Sequence, residues 1–412
     1  MDLPARPLPA ADAGVLAGFR PGDSLFTARG QGLHGQGCLL QAAARENVAA
    51  CAADLLVEAA ARYAETAATT RDETREARTT DPAGATCAPD ARPLLLGLLP
   101  YDPAGPAPAL LRVPRTLRRL TAPSGLSAPR GCAILRRREQ PDQAGYERGV
   151  CAALEQLGLN TGLRKLVLAR TLELELERPL NLPEVLARLW QASPHGHTYA
   201  LPVSDTGEIY FLGASPELLV RREGRRVQVH PLAGTAARHA DAAEDARIAR
   251  ALLDSPKDRL EHAVVIEAIE AALRPLCRRL DIPAQPGLTS TARLWHLGTR
   301  IEGELADPAI SALDLAIALH PTPAVCGLPT ADARRAIAAL EPFERGYFAG
   351  AAGWCDASGD GAWAVAIRCA HAHGSRLTLS AGAGIVPGSV PSLEYQETGN
   401  KLRTVLDALG LV

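Results

Sequence analysis

Residues 164–177 read RKLVLARTLELELE, and in the second half Leu172, Leu174 and Leu176 alternate strictly with Glu173, Glu175 and Glu177. A period of two puts the leucines on one face and the glutamates on the other, the pattern of a half-buried strand. No other feature restricts the fold as much, because a strand this long needs neighbours for its backbone hydrogen bonds. The chain offers several. The run GEIYFLGASPELLVRREGRRVQVHPLAGT (207–235) reads as strand, Ser-Pro turn, strand, glycine-centred hairpin and strand. LLLGLLPYDP (94–103), AWAVAIRCA (362–370) and RLTLSAGAG (376–384) read as further strands.

Helical composition marks residues 41–65, 142–158, 330–340 and 392–409. Another helix is expected after Ser255-Pro256, an N-cap and first-turn pair that launches KDRLEHAVVIEAIEAAL. Strands follow strands through tight turns and helices come in separate blocks, so the expected class is α+β with antiparallel sheets. Residues 1–20 and the Ala/Thr/Pro-rich stretch 66–93 read as mobile surface segments.

A hydrophobic fraction of 47% allows a sizeable core, and a net charge of −2 with 4% aromatics gives no basis for nucleic acid or an anionic membrane as partner. The nine cysteines are scattered without a CxxC pair, as expected of reduced thiols in a cytoplasmic protein. No apolar run approaches the length needed to span a bilayer. No signal-peptide core, internal repeat or phosphate-binding glycine loop is present.

Several residues could carry chemistry, each with an ordinary reading beside it. Glu394, Glu397 and Lys401 in SLEYQETGNK fall on nearly one face of a helix, where most charges are simply solvated. With Glu261 in KDRLEH the two glutamates could hold a hard divalent cation, which prefers oxygen ligands. Lys165 opens the alternating strand. It is either a strand-end lysine reaching water or a desolvated amine able to act as a general base. Glu217 in GASPELL is a turn residue, or a carboxyl kept protonated by burial as a general acid. His296 in LWHLGTR reads as a core histidine. Arg368, inside the apolar run AVAIRCA, must pair or bind an anion, since an unpaired buried charge is costly. The glycines of PLAGT and AGAG allow close backbone approach to a ligand, although turns use glycine equally often. Metal and arginine together suggest a small polycarboxylate substrate.

The segments GASPELL, PLAGTAAR, SPKDRLEHAVV, LWHLGTRIEG, LHPTPAVCGLPT, GAAGWCD, VAIRC and AGAGIVPGSVPSLEYQETGNK, in that order, resemble the chorismate-utilising enzymes, which include the anthranilate, aminodeoxychorismate, salicylate and isochorismate synthases. SLFTARGQGL (24–33) and GLLPYDP (97–103) extend the likeness towards the enterobactin-type isochorismate synthases. The resemblance implies one catalytic domain over 21–412, two packed, mostly antiparallel sheets with helices outside, and no separate cofactor domain. Lys165 together with Ala324 resembles the isochorismate synthase combination. By that likeness Lys165 activates water and Glu217 protonates the departing hydroxyl. Glu261 and Glu397 hold Mg2+, with Glu394 in support. Arg368, Lys401, Gly234, Thr235, Gly382, Ala324 and His296 surround chorismate. The implied protein is a monomer needing no amidotransferase subunit, and it serves siderophore synthesis, with menaquinone supply as the alternative pathway and salicylate synthase as the alternative activity. One departure puts a substrate contact in doubt. Ala236 and Ala237 follow the PLAGT turn where many relatives carry arginine or proline.

Overall fold

A computed structural model describes residues 16, 18–76, 92–126, 131–159 and 162–411. The alternating segment forms the strand Lys165–Leu176, with Leu172, Leu174 and Leu176 buried and Glu173 and Glu175 half-exposed. It runs antiparallel to Arg376–Ile385, in a register that takes Glu175 opposite Arg376 and Leu166 opposite Ile385. This pair lies within a ten-stranded sheet. A nine-stranded sheet and a smaller three-stranded one complete the β-structure, and every described strand pair is antiparallel.

The two large sheets face each other across the main core, where Phe26, Tyr199 and Phe211 of one meet Leu95, Val220 and Trp363 of the other. A second core lies under helices Leu182–Ala192 and Pro391–Leu409. It joins Trp190, Leu402 and Val405 to Leu172, Leu174, Leu212 and Leu379 of the ten-stranded sheet. Helices therefore clothe the sandwich, as expected for the α+β class.

The chain steps between the two large sheets at two places that matter for the cleft. Strand Ile209–Ser215 belongs to the ten-stranded sheet and Leu218–Glu223 to the nine-stranded one, with Pro216 and Glu217 between them. Strand Gly361–Val365 belongs to the nine-stranded sheet and Cys369–His373 to the ten-stranded one, with Ala366, Ile367 and Arg368 between them. The crossovers bond to each other. Val365 N donates to the Glu217 carbonyl at 3.1 Å, and Ala214 N donates to the Arg368 carbonyl at 3.1 Å.

Four expectations are corrected here. Residues 362–370 are not one strand, because the run breaks where it changes sheets, and Arg368 sits at φ 53 in the left-handed region. The helix expected from 41 starts later, since Leu40–Ala44 pairs with Ala109–Val113 as a strand and the helix is Val48–Glu76. That helix also takes in 66–76, whose Ala, Glu and Arg residues are good helix formers. The rest of the expected surface segment, 77–91, lies outside the described residues. Residues 1–15 and 17 of the expected N-terminal segment lie outside them too, but Leu16 and Phe19 are buried in the second core. Their apolar side chains anchor the end of a stretch read as mobile.

Candidate active site

Nine of the residues singled out in the sequence line one cleft beside the crossovers: Glu217, Gly234, Thr235, Glu261, His296, Ala324, Arg368, Gly382 and Lys401. Each arrives from a different local cause. Glu217 is delivered by the Ser-Pro turn, with its backbone N–H donating to Ser215 Oγ at 3.2 Å. It is 3% exposed, and burial pushes its carboxyl up to about 7. A backbone hydrogen bond from Leu232 and the charges of Lys165, Arg368 and Lys401 oppose that rise. Such a carboxyl is partly protonated at neutral pH and can donate a proton.

Arg368 is 7% exposed, and among the described residues its guanidinium makes no hydrogen bond or ion pair. Burial lowers its pKa to about 10, against the attraction of Glu397 and Glu217. A buried cationic fork without a partner is a binding place for an anion, and a carboxylate matches its geometry. His296 lies in the three-stranded sheet beside Thr235, whose hydroxyl is 3.1 Å from Nδ1. Its Nε2 is buried without a partner, and burial together with the Arg368 and Lys401 charges keeps the ring neutral. Gly234, at φ +82, takes a backbone conformation that side-chain-bearing residues avoid.

Lys165 is fully buried behind the cleft wall, with Nζ 3.0 Å from Glu261 Oε1. That is an ion pair in distance, yet no acceptor meets Nζ in hydrogen-bonding geometry. Glu261 comes from helix Pro256–Leu273, whose N-cap Ser255 accepts from Asp258 N. Burial raises its pKa, but the charges of Lys165 and Lys257 outweigh this and the net shift is downward. The C-terminal helix Pro391–Leu409 supplies the rest. Lys401 Nζ donates to Glu397 Oε1 at 2.6 Å and to the Gly382 carbonyl at 2.9 Å, while Glu394 accepts from Lys257 Nζ at 2.8 Å.

Three carboxylates on two helices thus each pair with a different lysine. Among the described residues no three acidic, histidine or cysteine side chains converge on one point. The donor chemistry nevertheless fits a hard divalent cation, being all oxygen. Burial and the Glu397 charge both push the Glu394 carboxyl up, a like-charge crowding that a cation relieves.

Sequence reasoning missed two supporting positions, Lys257 and Arg345, and marked Gly384 of AGAG only as a glycine that allows close backbone approach. Lys257 was visible only as part of SPKDRLEH. Gly384, on the strand Arg376–Ile385, is where an added Cβ would overlap the Glu261 carboxylate. Arg345, 6% exposed, donates to the carbonyls of Val325 at 2.8 Å and Val167 at 2.7 Å, tying the Ala324 loop to the Lys165 strand. Its signal was the pair Glu341–Arg345 at helical spacing, an ion pair in the structure.

Comparison with known proteins bears on this arrangement. The model of the chorismate binding enzyme family matches residues 111–410. The chain belongs to the chorismate-binding enzyme family. This chorismate-binding enzyme is 46% identical over 335 residues to the isochorismate synthase DhbC of Bacillus subtilis, covering 78% of the chain and 82% of that relative. It is 41% identical over 324 residues to the vibriobactin-specific isochorismate synthase of Vibrio cholerae, covering 77% of the chain and 80% of the relative. A crystal structure named as the 2,3-dihydroxybenzoate-specific isochorismate synthase DhbC of Bacillus anthracis superposes with a TM-score of 0.82 at 36% identity, over 97% of this chorismate-binding enzyme and 99% of that chain. No helix among the described residues is long and apolar enough to cross a membrane.

Proposed function

We propose that this enzyme is an isochorismate synthase, interconverting chorismate and isochorismate. The observation that carries the reading is the cleft that sets a buried carboxyl, held at about 7, near a buried arginine without a partner. Water forms a bond to ring carbon 2, the double bonds shift, and the carbon 4 hydroxyl leaves as water. The working base is the neutral Lys165 amine, which takes the proton from the incoming water and becomes ammonium, while protonated Glu217 gives one to the departing hydroxyl and becomes carboxylate, so atoms and charge balance. Arg368 binds the enolpyruvyl carboxylate, with Lys401, Gly234, Thr235, Gly382, Ala324 and His296 completing the pocket.

Glu261 and Glu397, with Glu394 in support, would hold a divalent cation, magnesium in this reading, which would supply positive charge for the ring carboxylate. Residues from 21 to the C-terminus act as one catalytic domain, since the cleft draws on both large sheets and two helices. The names of the relatives that match favour siderophore supply. We further place the enzyme in the cytoplasm as a monomer, with no amidotransferase subunit.

The test is incubation of the pure protein with chorismate and Mg2+, with and without added isochorismate-pyruvate lyase. Isochorismate alone, converted to salicylate and pyruvate only when the lyase is present, is the expected result. Salicylate and pyruvate without the lyase would instead mark a salicylate synthase. Anthranilate formed with ammonia, or no turnover, would overturn the assignment.

A further inference from the structure

The C-terminal helix has a second polar face that the proposed chemistry does not use. Glu394, Glu397 and Lys401 lie on one side, from which Lys401 lines the cleft, while Tyr395 and Thr398 lie about 100° further round the helix, one residue on from each glutamate. Thr398 is fully buried; its hydroxyl accepts from Arg170 Nε at 2.7 Å and donates to the Tyr395 carbonyl at 2.7 Å. The Arg170 guanidinium sits over the Tyr395 ring, 4.1 Å from its centroid. Arg170 Nη1 donates to Glu139 Oε2 at 2.9 Å, and the Tyr395 hydroxyl donates to the same oxygen at 2.6 Å.

Arg170 is only 3% exposed, and a buried charge is tolerated where its partners are complete. Here the partners come from two other elements, the strand Ile134–Gln140 and the C-terminal helix. Arg170 itself stands five residues along the strand that opens with Lys165. Turning the helix by one residue would swing Lys401 away from the cleft, carry Glu397 with it, and break the bonds that Thr398 and Tyr395 make to Arg170 and Glu139.

We propose that Arg170, with Glu139 and Tyr395, fixes the rotation of the C-terminal helix and so sets Lys401 in the cleft wall with Glu397 beside it. Arg170 is a positioning residue that touches neither substrate nor cation, and the same strand thereby sets both the lysine base and the carboxylate opposite it. The inference rests on the reading of Glu397 as a cation ligand.

The experiment compares the full-length protein with Arg170→Met, Arg170→Lys and Tyr395→Phe. It measures Mg2+ binding by calorimetry, KM and kcat, and thermal melting. Arg170→Met should weaken Mg2+ binding about 10-fold or more at unchanged stoichiometry, the range found when groups that orient metal ligands are lost. Its kcat at saturating cation should fall far less. Arg170→Lys should not rescue it, since an ammonium lacks the planar fork that bonds Thr398 and Glu139 together. Tyr395→Phe, which deletes one hydroxyl, should weaken binding about threefold, and it decides the matter if Arg170→Met does not fold. Unchanged affinity in folded Arg170→Met, full rescue by lysine, or a wild-type protein that does not bind Mg2+ would overturn the proposal. A wild type that binds Mg2+ and loses it in the variants, yet forms no isochorismate, would leave the clamp standing and remove the proposed activity instead.

Discussion

The groups around the cleft rest on two kinds of support. Glu217, Arg368 and His296 stand on sheet crossovers and strands, are each at most 7% exposed, and take part in no ion pair among the described residues. Glu261, Glu394 and Glu397 stand on helices, and each is paired with a lysine, at 3.0, 2.8 and 2.6 Å. In the first set the Arg368 guanidinium makes no hydrogen bond among the described residues and His296 Nε2 is buried without a partner, so both are open to whatever enters, which is what preorganised electrostatics requires. The second set already has counter-charges, which another cation can replace. In the proposed function, rigid binding and proton transfer fall to the sheets, and exchangeable ion binding to the helices.

The sharpest way to break that division is to remove the proton-transfer groups. Lys165→Ala should lower kcat by about 10²- to 10⁴-fold, the usual contribution of a general base, while chorismate still binds, as equilibrium dialysis would record. Full activity in that variant would end its role as base. Glu217→Gln should cost a similar factor and also change the pH response. In the proposed mechanism the working form is the protonated carboxyl, so kcat should fall as pH rises through about 7. Stability should move the same way. The folded carboxyl binds its proton more tightly than the unfolded one, so stability is greatest below the unfolded value near 4.5 and is lost as pH rises towards about 7. Glu217→Gln should flatten the melting temperature over that window, and a slope that survives the substitution would assign it to another group.

Arg368 sharpens the comparison differently, because it joins an anion site to backbone strain. Its φ of 53 costs about 1–2 kcal/mol in a residue bearing a side chain. Arg368→Gly should therefore raise KM for chorismate about 10- to 100-fold, the effect of losing charge-assisted hydrogen bonds, with no loss of melting temperature. A drop in stability alongside the binding defect would mean that the guanidinium supports the fold.

How much of this was legible beforehand depends on the kind of interaction. The strand was readable at its 172–176 end because there one face is buried and the other is half-exposed, so its period of two is written in the side chains. The helix 330–340 and the Ser255 cap were readable because their signals are local. The break at Arg368 was not, since a run that leaves one buried sheet for another stays apolar throughout. The pairing of Glu261 with Lys165 and of Glu394 with Lys257 was equally hidden, because it spans helices and strands far apart in sequence. The resemblance to a family brought the cleft residues together. It did not name Lys257, Gly384, Arg345 or Arg170, which act through packing and hydrogen bonds.

The smallest expected effects come from two glycines on one strand, where the two supports meet. Gly384 faces the Glu261 carboxylate so closely that an added Cβ would overlap Oε1, and it would lie 3.1 Å from Lys165 Cε. Gly384→Ala should push the carboxylate off its place and weaken Mg2+ binding about 10-fold by calorimetry, leaving Arg368 and Glu217 undisturbed. At Gly382 a Cβ would meet the Leu168 carbonyl and Val167 Cγ1, each at 3.1 Å, a crowding that a few tenths of an ångström relieve. The Lys401 hydrogen bond there goes to the backbone carbonyl, which alanine keeps. Gly382→Ala should therefore change Mg2+ binding and KM by no more than about twofold, the level of a well-tolerated substitution. Equal losses at both glycines would show that the strand moves as a unit, and that the helix-borne carboxylates are no more adjustable than the sheet they lean on.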